Sequence, residues 1–223
     1  MHSDMGDFFT VLAAARLANV ADSLSGERLT LIRGERCLMQ GVEFALASGE
    51  LLMIEGPNGS GKTTLLRAIA GLVDPEEGLV QWNNTNVKHD RQAFRANLVW
   101  MGHGPGFKGD LTLVENLRFE SGLRAMTLYA AERHFGRLGL STLTDIPFRA
   151  LSAGQQRRVG LARMIMTDAP LWLMDEPFTN LDAAGQSLVI EVLQEHLEGG
   201  GLCVMATHQR FELGARVHRI GLQ

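Results

Sequence analysis

Short apolar runs alternate with amphipathic segments along most of the chain. The runs at 51–54, 171–174 and 202–206 are each bounded by polar or turn-forming residues, which is typical of buried strands. The patterns at 29–32, 44–46, 80–82 and 98–101 predict further strands, and those from 62 to about 71 and at 187–197 predict helices. Strands that alternate with helices predict a parallel sheet with crossover connections.

Two regions differ in texture from this pattern. Residues from about 110 to 167 contain few β-branched runs and predict a helical insert. Residues 1–25 contain an apolar run at 8–15, but Asp4 and Asp7 precede it, whereas a secretory signal would place Lys or Arg there. We therefore expect an N-terminal extension of unknown role at 1–25, either a short amphipathic helix or the product of an upstream start codon, and one domain at 26–223.

Composition and charge narrow the class of protein. The 223 residues are 45% hydrophobic, enough for one substantial core. The 21 Lys and Arg against 25 Asp and Glu give a net charge of −4, which disfavours nucleic acid as a partner. Charged residues interrupt every long apolar run, so no membrane span is expected. Cys37 and Cys203 match no metal-binding spacing and are expected to be reduced core thiols in a cytosolic compartment.

A phosphate-binding loop lies between the strand at 51–54 and the helix that follows it. Residues 56–63 fit the pattern G-x-x-x-x-G-K-[ST] in the strand–loop–helix context that the motif requires. The expected nucleotide-binding residues are Gly56, Pro57, Asn58, Gly59, Ser60, Gly61, Lys62, Thr63 and Thr64. Backbone N–H groups and the helix N-terminus would hold phosphates, Lys62 would reach the β- and γ-phosphates, and the Thr63 hydroxyl would bind Mg²⁺. The sequence thus predicts a site for ATP and Mg²⁺.

Acidic residues and a histidine follow two later strands. Asp175 and Glu176 come directly after the run at 171–174, and His208 comes shortly after the run at 202–206. Asp175 would hold Mg²⁺ directly or through water, and Glu176 would act as the general base on the attacking water. By position alone, His208 is either a contact of the γ-phosphate or a residue without a part in the reaction.

The segment at 151–158 resembles the LSGGQ signature of the ABC ATPases. Its signature positions are Leu151, Ser152, Ala153, Gly154 and Gln155, with Ala153 in place of the usual first glycine. Asp182 matches the family's D-loop, and His208 falls on its switch histidine. The resemblance covers about residues 27–223. It implies a P-loop NTPase fold of the ABC type, with a mostly parallel sheet, an antiparallel β edge and a helical subdomain at about 110–167.

The same resemblance implies a head-to-tail homodimer. In the family, the signature serine and glycine, here Ser152 and Gly154, contact the γ-phosphate of ATP bound to the opposite subunit. Two positions depart from the pattern. His103 replaces the Q-loop glutamine and would bind Mg²⁺, couple to a membrane partner or do neither. The aromatic residue that stacks on adenine is replaced by Ile32 or Arg33, of which Arg33 could stack on the base.

Residues 102–108 and 111–119 resemble the GHxPGxK…LTxxENLRF pattern of the CcmA family, the ABC ATPases of cytochrome c biogenesis. This resemblance implies an ATPase on the cytoplasmic face of the bacterial inner membrane, bound to the integral membrane subunit CcmB, with CcmC and CcmD completing the complex. Hydrolysis would be coupled to haem export or to release of the haem chaperone CcmE. No direct haem binding is expected, because the chain lacks a Cys-x-x-Cys-His motif and an evident axial histidine.

Three other functions compete with this interpretation. The chain could be the ATPase of another small ABC importer or exporter. A soluble ABC ATPase that acts on nucleic acid or ribosomes is disfavoured by the single ATPase unit and the net charge of −4. A clamp that does not hydrolyse ATP is disfavoured by the presence of Lys62, Asp175, Glu176 and His208 together.

Overall fold

A computed structural model of the chain describes residues 22–104, 106–123 and 134–222. In chain order, the strands are β1 (Ser23–Arg33), β2 (Arg36–Ala47), β3 (Glu50–Glu55), β4 (Glu77–Trp82), β5 (Thr85–Asn86), β6 (Leu98–Met101), β7 (Leu171–Asp175), β8 (Leu202–Ala206) and β9 (Arg216–Gly221). The helices are α1 (Lys62–Ile69), α2 (Arg91–Ala96), α3 (Leu113–Leu123), α4 (Ala153–Met166) and α5 (Ala183–Glu198). The helix considered for the N-terminal extension lies outside the described residues.

A five-stranded parallel sheet forms the centre of the fold, in the order β6-β7-β8-β3-β9. Its strands β6 and β8 have the predicted bounds, and β3 and β7 extend the predicted runs by one or two residues. Because β7, β8 and β3 are neighbours and parallel, their carboxyl ends lie side by side at one edge. The phosphate-binding loop, the acidic pair and His208 all follow these three ends.

The antiparallel strands form a second sheet of four strands, in the order β2-β1-β4-β5. The sequence analysis expected these strands as an edge of the main sheet, and the structure gives them a sheet of their own. Cys37 is exposed on β2, whereas Cys203 is buried in β8, where burial raises the pKa of its thiol. The expectation of two core thiols is therefore wrong for Cys37, because β2 is an edge strand of its sheet.

Side chains of the parallel sheet alternate between two hydrophobic cores. On β3, Leu51 and Met53 join a core with α4, α5 and the helical region, which we call the helical-side core. Leu52 and Ile54 join a core with α1 and the antiparallel sheet, which we call the loop-side core. The same alternation separates the residues of β7 and β8, as the two-residue repeat of a strand requires. Both faces of the sheet are therefore covered.

The predicted helical insert contains α3, helical residues 134–138, a 3₁₀ turn at Phe148–Ala150 and α4. Asn116 of α3 is 2% exposed, and its carboxamide accepts a hydrogen bond from the N–H of Lys108 and donates to the carbonyls of Lys108, Leu111 and Thr112. These bonds fix the loop that leads into the helix. Within the described ranges, no helix is both long enough and apolar enough to cross a membrane.

Candidate active site

The phosphate-binding loop closes around the amino group of Lys62. The Lys62 side chain is 7% exposed, and its amino group donates hydrogen bonds to the carbonyls of Gly56 at 2.8 Å and Pro57 at 3.1 Å. Gly61 has φ of +101°, and a Cβ there would lie 2.9 Å from the Met39 Cε atom, so both its conformation and its surroundings favour glycine. The buried Ser60 hydroxyl has no hydrogen-bond partner among the described residues, so it is available to bond to a ligand in the loop.

The first turn of α1 is joined to the end of β7. Thr63 Oγ1 donates a hydrogen bond of 2.8 Å to the Oδ2 atom of Asp175, which is the last residue of β7 and only 3% exposed. A hydroxyl and a carboxylate are oxygen ligands of the kind that Mg²⁺ prefers. The structure brings together the two residues predicted as metal ligands.

Glu176 lies between a lysine and a histidine. Its Oε2 atom is 3.0 Å from Nδ1 of His208, and its Oε1 atom is 3.8 Å from Nζ of Lys62. Oε1 is buried and has no hydrogen-bond partner in the described part of the chain. The Glu176 side chain is 14% exposed, whereas that of His208 is 65% exposed. The carboxylate therefore keeps one oxygen without a hydrogen bond, in an ion pair with Lys62 of the phosphate-binding loop.

The backbone of Glu176 is unusual, with φ of +49°. A residue with a side chain rarely adopts this left-handed conformation, which costs about 1–3 kcal/mol and persists only where contacts with the surroundings offset that cost. Its N–H donates to the carbonyl of Ala206 at 2.8 Å, which ties it to the neighbouring strand β8. The direction of this carboxylate is thus fixed by tertiary contacts.

The signature segment forms the start of α4. Ser152 caps this helix by accepting a hydrogen bond from Gln155 N, and the Gln155 side chain accepts one from Ser152 N, so the two form a capping box. Ser152 and Ala153 are exposed, while Leu151 is buried. No hydrogen bond or ion pair joins residues 151–155 to residues 56–64 within the described ranges.

The signature packs instead against the D-loop. A Cβ on Gly154 would lie 3.0 Å from the carbonyl oxygen of Asn180, so a larger residue would have to displace backbone. Asp182 caps α5 by accepting a hydrogen bond from Gly185 N, and it lies 3.5 Å from the guanidinium of Arg158. The two segments therefore form one exposed surface on the same chain.

His103 lies beside a cleft of about 1290 Å³. Its lining includes Thr63 and Asp175 as well as Trp100, His103 and Arg163. The exposed His103 thus shares an open space with the proposed metal ligands. Ile32 and Arg33 are both exposed near the β1–β2 hairpin, and stacking of Arg33 on the adenine base stays a prediction.

Comparison with known proteins assigns the family. The family model described as ABC transporter matches residues 39–179. A cytochrome c biogenesis ATP-binding export protein CcmA of Yersinia pseudotuberculosis is 43% identical over 198 residues, covering 88% of this chain and 90% of the relative. The CcmA protein of Escherichia coli is 42% identical over 202 residues, covering 89% and 96%. The chain belongs to the CcmA family of ABC transporter ATPases.

A solved structure supports the fold of this ABC ATPase. A dimeric ATP-binding cassette in a post-hydrolysis state, bound to ADP and phosphate, is similar with a TM-score of 0.74 and 25% identity, covering 83% of this chain and 88% of that one. The predicted ABC-type α/β fold is confirmed, and nucleotide hydrolysis is the activity of the family.

Two arginines of α4 that were not predicted from the sequence reach the site. Arg157 donates hydrogen bonds to the carbonyls of Gly102 and of residues 175–177, and Arg163 donates to the carbonyl of Trp100 at 2.5 Å. The one signal for Arg157 in the sequence is the pair of adjacent arginines just after the signature. Backbone carbonyls as partners leave no mark in the sequence, so the role of these arginines could not be predicted.

Proposed function

We propose that this ATPase is the ATP-hydrolysing subunit of a membrane ABC complex in cytochrome c maturation. The observation that supports it most is the contact of Thr63 with Asp175 and of Glu176 with His208 around the phosphate-binding loop. The names of the CcmA relatives, at 42–43% identity, supply the biological process. Hydrolysis would be coupled to haem export or to release of the haem chaperone CcmE.

The residues present fit ATP and Mg²⁺. The partly closed loop of residues 56–64 offers backbone N–H groups, a buried hydroxyl without a partner and the Lys62 ammonium to the phosphates. Thr63 and Asp175 would hold Mg²⁺, which supplies positive charge to the β- and γ-phosphate oxygens when bound. Lys62 would exchange its bonds to Gly56 and Pro57 for the phosphates.

Glu176 would act as the general base. Its Oε1 atom, which accepts no hydrogen bond within the described residues, accepts the proton of the attacking water. The water oxygen bonds to the γ-phosphorus while the bond from that phosphorus to the β–γ bridging oxygen breaks. His208 holds the other carboxylate oxygen and can contact the γ-phosphate from the exposed side. Products are ADP and inorganic phosphate, and the proton on Glu176 returns to solvent.

Two subunits would be needed for the complete site. The exposed Ser152 hydroxyl and the Gly154 amide at the N-terminus of α4 would contact the γ-phosphate bound by the opposite subunit. Leu151 and Gln155 hold this segment in shape, and Ala153 keeps its surface small. Asp182 fixes the neighbouring D-loop. The arrangement corresponds to a head-to-tail homodimer.

The membrane partners are proposed from the family. CcmB would bind this subunit directly, with CcmC and CcmD completing the complex on the cytoplasmic face of the bacterial inner membrane. The cleft beside His103 connects the proposed metal ligands to the protein surface, so a partner there could respond to the nucleotide state. The ATPase of another small transporter would use the same site, and only the cellular process separates the two functions.

The test is made in the source cell with Glu176→Gln. This change keeps the shape of the side chain but removes the base, so hydrolysis is expected to fall by at least about 100-fold while ATP still binds. Haem staining of mature c-type cytochromes then reports the process, with protein level checked by immunoblot. Glu43→Gln, on an exposed residue of β2, is the matched control.

The expected result is loss of all c-type cytochromes with b-type haem proteins retained, only in the Glu176 variant. Normal c-type cytochromes with ATP hydrolysis abolished would assign the ATPase to another transport process. Unchanged hydrolysis in Glu176→Gln would refute the proposed role of Glu176.

A further inference from the structure

The Arg157 side chain connects two segments of the active site through their backbones. Its guanidinium donates hydrogen bonds to the carbonyl of Gly102 at 2.7 Å, in the loop after β6. It also donates to the carbonyls of Asp175 at 2.8 Å, Glu176 and Pro177 at 3.0 Å, at the end of β7. One side chain of α4 thus holds four carbonyls from two loops.

These bonds act where the backbone needs support. Glu176 has φ of +49°, a conformation that persists only where the surroundings impose it. The Glu176 carbonyl accepts hydrogen bonds from Arg157 and from Thr179 N at 3.3 Å, and its N–H is held by Ala206. Of these three hydrogen bonds, only the one from Arg157 comes from a side chain, and its donor is positively charged.

A guanidinium suits this position better than any other side chain. It is planar, offers five N–H donors in a fixed fork and has no acceptor. Burial lowers the pKa of Arg157, whereas the charges of Asp175 and Glu176 raise it, and an arginine stays protonated at neutral pH in either case. The positive charge of Arg157 therefore interacts with the carboxylates of both Asp175 and Glu176.

The loop after β6 that Arg157 holds also borders the cleft. Gly102, His103 and Gly104 line the cleft of about 1290 Å³. Arg163 donates a hydrogen bond to the carbonyl of Trp100 in β6, two residues before Gly102. A displacement of Gly102 would pull on the guanidinium that supports Glu176. A single side chain thus joins this loop to the backbone that carries the Glu176 carboxylate.

We propose that Arg157 is a positioning residue that sets the direction of the Glu176 carboxylate and connects it to the loop at Gly102. The proposal rests on the assignment of Glu176 as the general base under the proposed function. Arg157 does not touch the nucleotide in this account. Its loss should therefore lower the rate of hydrolysis and leave the binding of ATP almost unchanged.

The experiment measures kcat and KM for ATP with the full chain purified together with its membrane subunits. Arg157→Lys keeps the charge but loses the fork, and Arg157→Met loses both. We expect kcat to fall by about 10-fold for Lys and about 30- to 100-fold for Met, since a small misplacement of a catalytic group has effects of this size. KM and the affinity for a fluorescent ATP analogue should change by less than about threefold.

Arg137→Met is the matched control for lost structural bonds. Arg137 donates hydrogen bonds to Glu191 and Glu195 of α5 and belongs to no segment of the site. Its kcat should stay within about twofold of the wild type, because it acts on stability alone. Thermal unfolding of all variants separates loss of folded protein from loss of rate.

A double variant distinguishes this proposal from a general structural role. If Arg157 acts through Glu176, Arg157→Lys should add less than about twofold to the loss caused by Glu176→Gln. The proposal would be overturned if the losses of kcat from the two changes multiplied in the double variant. It would also be overturned by a rise in KM equal to the fall in kcat, or by a wild-type kcat in both Arg157 variants. Each of these results would leave Glu176 as the base. Wild-type activity of Glu176→Gln alone would instead overturn the assignment of Glu176 as the general base and, with it, this inference.

Discussion

Replacing Thr63 by valine removes one hydrogen bond to a buried charge. Among the residues that the structure describes, Thr63 supplies the only hydrogen bond donated to the Asp175 carboxylate, which is 3% exposed. Valine has nearly the same shape and no hydroxyl. A hydrogen bond to a charged group contributes about 1.5–3 kcal/mol, so Thr63→Val should lower the free energy of unfolding by about 2 kcal/mol. For a domain of this size, this corresponds to a fall in Tm of about 4–8 °C.

The assay is thermal and urea unfolding of the purified chain in EDTA without nucleotide. Thr63→Ser keeps the hydroxyl and should lose less than about 1 kcal/mol. Thr85→Val, on an exposed residue of β5, repeats the chemical change away from the site and should stay within about 0.5 kcal/mol of the wild type. Addition of Mg²⁺ and ATP should then raise the Tm of wild type and Thr63→Ser, and that of Thr63→Val much less.

The reasoning would be refuted if Thr63→Val were as stable as wild type without ligand. That result would mean that water satisfies Asp175 and that the bond contributes no net stability. A normal rise of the Tm of Thr63→Val with Mg²⁺ and ATP would refute the separate assignment of Thr63 as a metal ligand.

Two further predictions concern Lys62 and Glu50. Lys62→Ala should weaken ATP binding by at least about 10-fold, because the phosphates lose a charged contact. Calorimetric titration with ATP measures the affinity. An unchanged affinity would contradict the role of Lys62. Partial burial raises the pKa of Glu50. Hydrogen bonds from Ala47 N and His218, together with the charges of His218 and Arg216, lower it by more than burial raises it. The net pKa therefore lies below its ordinary value of 4.5. The carboxylate therefore contributes stability above about pH 4.5 that is lost as the pH falls through its lowered pKa. Glu50→Gln should destabilise the protein by about 1–3 kcal/mol at pH 7 and by clearly less at pH 3. Urea unfolding at pH 7 and at pH 3 measures the two losses. An equal loss of stability at both pH values would show that Glu50 acts through packing.

The sequence predicted the parts of the fold whose local patterns are strong. β6 and β8 are continuous apolar runs in the interior of the sheet, and the structure places them at the predicted bounds. β9 was missed because it is an edge strand whose two apolar residues, Val217 and Ile220, are separated by His218 and Arg219 and so form neither an apolar run nor an alternation. The short α2 and the two-residue β5 are defined by contacts with neighbouring elements and have little pattern of their own.

The candidate site was predicted as far as side chains in motifs could show it. Lys62, Thr63, Asp175, Glu176 and His208 lie where the parallel order of β7, β8 and β3 brings them together. The left-handed backbone of Glu176 could not be predicted, because glutamate has no preference for that conformation. The roles of the signature residues and of His103 stay predictions, since they involve a second copy or a partner.

The two faces of the parallel sheet pack against different cores, the helical-side core and the loop-side core. Neighbouring residues of one strand therefore report on different halves of the molecule. Met53 faces the helical-side core, and Ile54, the next residue, faces the loop-side core. Isotope-labelled methyl groups at these two positions would therefore serve as a pair of spectroscopic probes separated by one peptide bond. A rearrangement of the helices would shift the methionine signal, whereas tightening of the phosphate-binding loop would shift the isoleucine signal. The parallel sheet lies between the two cores, so the pair of signals would show on which side of the sheet a change of packing occurs.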